Sequence, residues 1–323
     1  MMRSLYSGIS GLKNHQTRMD VIANNISNVN TIGYKVSRTV FQDIFSQTAR
    51  SGSANREIIG GTNPVQIGLG IQLSSIDVLH TQSAFQRTDN PFDMMVNGDG
   101  YFIVQNENGD YFYTRAGNFH ADDEGYLVTS NGYYVMAREA VTYEDGTLIM
   151  ALRDDGDDTD PVGFDGQDGD FAGKLVRIRL VGNIPEYDDD DGDPATPIPI
   201  LDYNEEPLLG FAVGEGGEVT VLLNNVATKI ATLALGMFAN PGGLDKAGNS
   251  LYRESNASGA VVYSAPADGS GSGKVMGGGL EMSNVDLSTE FTDMIVTQRG
   301  FQANSRVITV SDTLLEELVN LKR

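Results

Sequence analysis

The C-terminal stretch of this chain carries the pattern that most restricts its fold. Leu287, Met294, Phe301, Ile308 and Leu315 recur every seven residues, and Phe291, Gln298, Ser305, Asp312 and Val319 form a second row offset by four. Alternating steps of four and three put both rows on one side of an α-helix. Ser283 and Asp286 stand in the S-x-x-[DE] relation of a capping box just ahead of the apolar run, which marks them as the expected helix cap. No proline follows, and Gly300 is the one internal weak point. A helix of about 50 Å is expected at 1.5 Å per residue. The first row is apolar throughout, while the second is polar at its three central positions. A seam that is half polar suits a helix gripped on one side and touched by several neighbours on others, rather than a solitary two-stranded coil.

The other end repeats the pattern. Leu5, Leu12, Met19 and Ile26 are spaced by seven, with Ile9, Gln16 and Ala23 in the offset row. Gly33 is expected at the C′ position, which makes Val29 and Tyr34 the apolar pair of a Schellman close. Asn24, Asn25, Asn28 and Asn30 are weak helix formers, so the last turns should fray easily. Two matched terminal helices most simply pair with each other. Such a pair has no third layer over its remaining apolar surface, and other copies of the chain are the natural cover.

Composition narrows the function. The 323 residues suffice for two or three domains, and 40% hydrophobic content supports a true core. A formal net charge of −22 argues against nucleic acid or an anionic membrane as partner. The chain has no cysteine, hence no disulfide and no thiolate chemistry. No apolar run approaches membrane-spanning length, so no membrane insertion is expected. Met1 to Ser10 lacks the apolar segment of a cleavable signal peptide, which leaves the cytoplasm or an export route that needs none.

Between the helices the period changes to two. Tyr34 to Phe45 reads as a strand or an irregular arm, Arg50 to Pro64 as loop, Gly68 to Leu79 as strand and Ala84 to Asp93 as polar connection. From Met94 to Val141 short strands alternate with turn dipeptides. Asn108-Gly109, between Tyr101–Val104 and Tyr111–Thr114, is the signature of a type I′ hairpin. Asp154 to Asp193 holds fourteen Asp or Glu against three Lys or Arg, a net −11 and half of the chain's total. Lys174 to Val181 alternates as a strand within it, and the stretch reads as a small separate β insertion with acidic loops. The main β pattern resumes at Leu208.

Sites for chemistry are sought without success. His15, His80 and His120 fall in different expected elements, and Gly68-Leu69-Gly70 lacks the third glycine of a dinucleotide loop. Aligning Gly192 or Gly156 on the sixth position of a calcium loop puts Tyr187 or Ala151 where the first carboxylate belongs. No catalytic residue, metal or cofactor is therefore expected, and the acidic runs read as solvated loops.

The ends also carry a long signature. Ala23 to Lys35 (ANNISNVNTIGYK) resembles the ANN-x-x-N-x-N-T-x-G-[FY]-K segment of bacterial flagellar rod and hook proteins. Leu280 to Leu287 (LEMSNVDL) and Gln298 to Ser305 (QRGFQANS) are similar to that family's closing segments, and Gly98–Phe102, Tyr113–Phe119 and Phe238–Leu244 match between them. Phe291 to Val296 and Gln298 to Arg306 resemble hook sequences within the family, while Gln47 to Gln66 resembles an extra stretch of many distal rod proteins. The resemblance implies a tubular homopolymer outside the cell, paired terminal helices lining its channel, and export unfolded through the flagellar type III apparatus. For a hook it implies a distal rod protein, a cap and hook–filament junction proteins as partners. A distal rod protein is the alternative within the family. A secreted acidic calcium-dependent adhesin module and an unrecognised enzyme are the alternatives outside it.

The expected fold is mainly β with long terminal helices. Residues 1–34 and 283–323 would form the paired helices, 35–149 and 208–282 an antiparallel β middle domain with a connecting arm, and 150–207 an acidic outer insertion. The expected self-assembly residues are Leu5, Ile9, Leu12, Met19, Ile26, Leu287, Phe291, Met294, Phe301, Ile308 and Leu315.

Overall fold

A computed structural model of the chain describes residues 2–54, 60–123, 125–142, 148–151, 175–178, 210–223, 226–267, 269 and 271–321. It is mainly β with a long helix at each end, α1 (Met2–Ser27) and α2 (Leu287–Leu321). The chain divides into two compact units, one of residues 1–29, 35–80 and 285–323, the other of 30–34 and 81–284.

In the first unit the two helices run antiparallel. Gly8 lies against Ile308, Gly11 against Asn304, His15 against Gly300, and Arg18 bonds Asp293. The segment after α1 is an antiparallel ribbon. β1 (Ser37–Asp43) pairs β4 (Ile71–Val78), and beyond them β2 (Ser46–Arg50) pairs β3 (Val65–Gly68). The arm expected to join the middle β domain thus belongs to the same unit as the helices. β2 and β3 flank the stretch read as loop, 50–64, whose described residues hold only the last residue of β2 and an isolated Ser53–Thr62 bridge. β2 and β3 are exposed on both faces, so no apolar alternation betrays them. Two asparagines of α1 fix the base of the ribbon. Asn14 donates to the Ile71 carbonyl at 2.7 Å, and Asn25 donates to the Ser37 carbonyl at 2.8 Å while accepting from its N–H at 3.1 Å. Asn25, expected to loosen the helix end, is buried there instead.

The second unit is an antiparallel β domain. Its longest path of paired strands runs Phe211–Val213, Glu218–Leu223, Val226–Leu233, Tyr134–Thr142, Tyr101–Gln105, Tyr111–Thr114, Leu251–Arg253 and Asp245–Gly248. Tyr101–Gln105 shows why the domain holds together. Phe102 and Val104 enter one core with Phe119, Leu127, Val135 and Leu233, while Tyr101 and Ile103 enter a second with Tyr113, Met136 and Tyr252. Successive strand residues point to opposite faces, and here both faces are covered. Each fully buried large apolar side chain stabilises the domain by about 2–3 kcal/mol.

Three readings change at this level. The Tyr101–Gln105 and Tyr111–Thr114 strands do pair, but the turn is not a two-residue type I′. Asn106 and Asp110 close it, with the Gly109 N–H on the Asn106 carbonyl, and Gly109 alone has positive φ there. Ala84 to Asp93 is not all connection, since Phe85–Arg87 pairs Gly279–Glu281. The described part of the acidic insertion is no separate domain. Val176–Arg177 pairs Met136–Ala137, and Ile178 sits in the larger core. Residues 152–174 and 179–207, which hold the acidic runs, lie outside the described residues.

Candidate assembly surface

The contacts shown between the two helices run through small and polar residues that the apolar rows do not include, Ile308 excepted. On α1 the line facing α2 is Gly8, Gly11, His15, Arg18 and Asn25. On α2 it is Ile308, Asn304, Gly300, Asp293 and Glu290. These positions also step by threes and fours, but they are mostly small or polar. A Cβ added at Gly8 would stand 3.4 Å from Ile308 Cγ1, one at Gly11 2.6 Å from Asn304 Nδ2, and one at Gly300 2.7 Å from His15 Cε1. Glycine in a helix interior is unfavourable by about 1 kcal/mol, and close approach is what it provides here. The enclosed residues of α2 are Thr297 and Ser311, both polar.

The electrostatics of the seam are modest. Arg18 Nη2 is 2.9 Å from Asp293 Oδ2 with both side chains partly in water, a pair worth at most about 1 kcal/mol. Burial raises the Glu290 pKa, opposed by a hydrogen bond from Asn25. The His15 pKa is lowered, first by burial and then by Arg18. Among the described residues, His15 Nδ1 and Thr297 Oγ1 are buried without a hydrogen-bond partner, and an unsatisfied buried group costs about 1–3 kcal/mol. The pair is held by shape and a few polar contacts, against such penalties.

Five of the eleven expected assembly residues are exposed. Phe291 is 50% exposed, Phe301 37% and Ile9 45%, and Leu287 and Leu315 are exposed as well. Leu5, Leu12, Met19, Ile26 and Met294 are half-buried, as is Ile308, the one member shown against the other helix. Ile295, Val296, Val310, Leu314, Leu318 and Val319 add to the exposed apolar surface of α2. Large contiguous exposed apolar patches are, in general, a feature of interaction surfaces.

The cap residues divide differently than expected. Asp286 is the N-cap of α2: its carboxylate accepts the Ser288 N–H at 2.9 Å and the Thr289 hydroxyl at 2.8 Å. Those bonds, Thr289's first, depress its pKa. Ser283 lies outside the helix, and its carbonyl accepts the Ser83 hydroxyl. Gly33 is not the C′ residue, because α1 ends at Ser27. Its φ is +65°, its N–H donates to the Glu281 carbonyl at 2.9 Å, and a Cβ there would meet the Ala116 nitrogen at 2.6 Å. The glycine permits backbone contact between the first segment of the β unit and its interior.

That contact leads to a buried ion pair the sequence did not announce. Arg115 donates to the Gly98 carbonyl at 2.8 Å and the Val96 carbonyl at 3.3 Å, and its Nη1 lies 3.7 Å from Glu281 Oε2. Its guanidinium stacks 5.0 Å over the Tyr101 ring. Burial lifts the Tyr101 hydroxyl to about 12, with Arg115 pulling it back. Glu281 Oε1 accepts the Ser83 N–H. Glu281, on the segment by which the chain leaves the β unit, is thus tied both to Ser83 near its entry and to Arg115 within it.

No group of three or more His, Asp or Glu side chains is placed to hold a metal among the described residues, and no described helix is long and apolar enough to cross a membrane. The exposed apolar residues of α2 leave a surface open to contacts. Comparison with known proteins adds the family. Residues 95–157 match the flagellar hook protein FlgE/F/G D1 domain, 276–321 the C-terminal part of flagellar basal body rod FlgEFG proteins, and 5–35 the flagella basal body rod proteins. The chain is 44% identical to the flagellar basal-body rod protein FlgG of Bacillus subtilis and 34% identical to the flagellar hook protein FlgE of Borreliella burgdorferi, each over the full length of both chains. It is 32% identical to FlgG of Agrobacterium fabrum over 97% of each. The chain belongs to the FlgE/F/G family of flagellar hook and rod structural proteins.

Proposed function

We propose that this chain is the subunit of a flagellar hook, a helical tube of identical copies that carries torque from rod to filament while it bends. The observation that carries the polymer reading is the placement of the apolar rows. The two helices hold each other through glycines and polar groups, and Phe291, Phe301, Ile9 and their neighbours are left at the surface. Leu5, Ile9, Leu12, Met19 and Ile26 on α1, with Leu287, Phe291, Met294, Phe301, Ile308 and Leu315 on α2, then serve contacts between copies. The hook assignment is supported by the hook-like residues 291–306 and the acidic central segment. In that setting the further partners are the distal rod protein, the hook cap, the junction proteins and the type III export apparatus, and the tube lies outside the cell.

A second reading, the distal rod, is favoured by the 44% identity to a protein named FlgG and by the ribbon around residues 47–66. Expressing the gene in hook-null and rod-null strains separates the two: restoration of hooks alone supports the first, restoration of rods alone the second. Electron microscopy of the purified protein at rising concentration and salt tests the polymer itself. A monomer that never forms tubes would remove both readings.

A further inference from the structure

The apolar rows repeat every seven residues on both helices, so sliding α2 by seven leaves them superimposed on themselves. Leu287, Met294, Phe301, Ile308 and Leu315 exchange places, and the rows carry no information about axial register. The seam does. His15 occupies the gap opposite Gly300, whose added Cβ would lie 2.7 Å from Cε1 and 2.8 Å from Nε2. On the other side Gly8 and Gly11 receive Ile308 and Asn304. A slip of seven in either direction would set His15 against Asp293 or Val307, and Gly8 against Phe301 or Leu315. Neither replacement opposite His15 offers a glycine's space, and the ring is also flanked by Phe41 of β1 at 6.5 Å between centroids.

We propose that His15 seated opposite Gly300 is the register-determining pair of the two helices. Single polar residues fix coiled-coil register in the same way, by giving the wrong alignments a penalty the right one escapes. The inference concerns contacts within one chain and holds for a hook or a rod subunit. It also makes a sign prediction. Alanine is a better helix former than glycine, so Gly300→Ala favours α2 taken alone. It disfavours the pair because the added methyl has no room beside the imidazole.

The chain has no cysteine, which makes engineered pairs clean reporters. A Cβ at Gly11 would lie 2.9 Å from Asn304 Cγ, so Gly11→Cys with Asn304→Cys is within disulfide reach. Gly11→Cys with Ser311→Cys, in a chain also carrying Asn304→Ala to remove the amide that a Cβ at residue 11 would meet at 2.6 Å, reports a slip of seven. The full chain carrying each pair is oxidised mildly, and the cross-link is timed by mass spectrometry. Near-ultraviolet tyrosine dichroism checks that the β unit is folded. Gly300→Ala is expected to slow the native cross-link about tenfold, the kinetic equivalent of overpacking by one methyl, and to raise the 11–311 product. Adding His15→Ala should restore the native rate to within about twofold of the His15→Ala single variant. That single variant should let native and slipped pairs form at similar rates. An unchanged native rate in Gly300→Ala, or no recovery in the double variant, overturns the proposal. Protein that forms no tubes yet shows this pattern keeps the register pair and removes the polymer reading. Tubes whose cross-links ignore both residues do the reverse.

Discussion

The β unit and the helix pair handle the same kinds of side chain in opposite ways. In the strand Tyr101–Gln105, residues 101 to 104 are all buried, two on each face. In α2 the enclosed positions are Thr297 and Ser311, while Phe291, Ile295 and Val296 face outward. The β unit covers its own apolar strands. The helix pair leaves much of its apolar surface exposed, which the proposed polymer of copies would cover. A helix that is apolar outward and small inward is stable only where something covers it, because tertiary burial rather than propensity supplies most helical stability.

The sharpest way to break this comparison is to put a charge on each surface. Phe301→Asp should leave the β unit's stability within about 0.5 kcal/mol, yet bury an unpaired carboxylate at every contact between copies, costing several kcal/mol each. Export with a folded core and no tube is the expected phenotype, and normal motility would remove that face from the contact surface. Phe102→Ala should do the opposite. It empties a fully buried site and should lower the stability of the β unit by about 3–5 kcal/mol, read from urea denaturation.

A smaller effect is expected at Gly33. Alanine there must hold a φ of +65° against the backbone of residues 115 and 116. A loss of about 1–3 kcal/mol from the β unit is expected, seen as a lowered urea midpoint with α1 unaffected.

The smallest effect is on pH. His15 has a lowered pKa in the folded pair, so the unfolded chain binds the extra proton more readily. Its contribution is fully present above the unfolded value of about 6.5 and fades as pH falls from there toward the depressed folded value. Arg18 is the charged group acting on it, while Gly300 and Phe41 bring none. Tubes should therefore loosen in mild acid, and less so with His15→Gln. Equal acid sensitivity in the two would place the effect elsewhere.

Much of this was legible from the chain. The sevenfold rows announced both helices, and dense turn dipeptides announced the antiparallel β domain. The glycine and polar contacts between the helices were not legible, because periodicity counts apolar residues. Gly8, Gly11 and Gly300 were the available signal, since glycine inside a strong helical pattern usually has a packing reason. Asp286 was recognised as part of the cap, but the box template put Ser283 in its role. Lys174 to Val181 read as part of a separate insertion because its neighbours in sequence are acidic, whereas Ile178 belongs to the main core by a long-range pairing. The Arg115–Glu281 pair joins residues far apart in sequence, and no local pattern reports that.

Hydrogen exchange on one preparation, first as dilute monomer and then as assembled polymer, tests the central claim most directly. The account predicts that 94–104 is protected in both states, while 2–27 and 287–321 exchange much faster than these strands in the monomer and become protected on assembly. Helices as protected in dilute monomer as the β strands would contradict it, because the pair would then be complete without its neighbours.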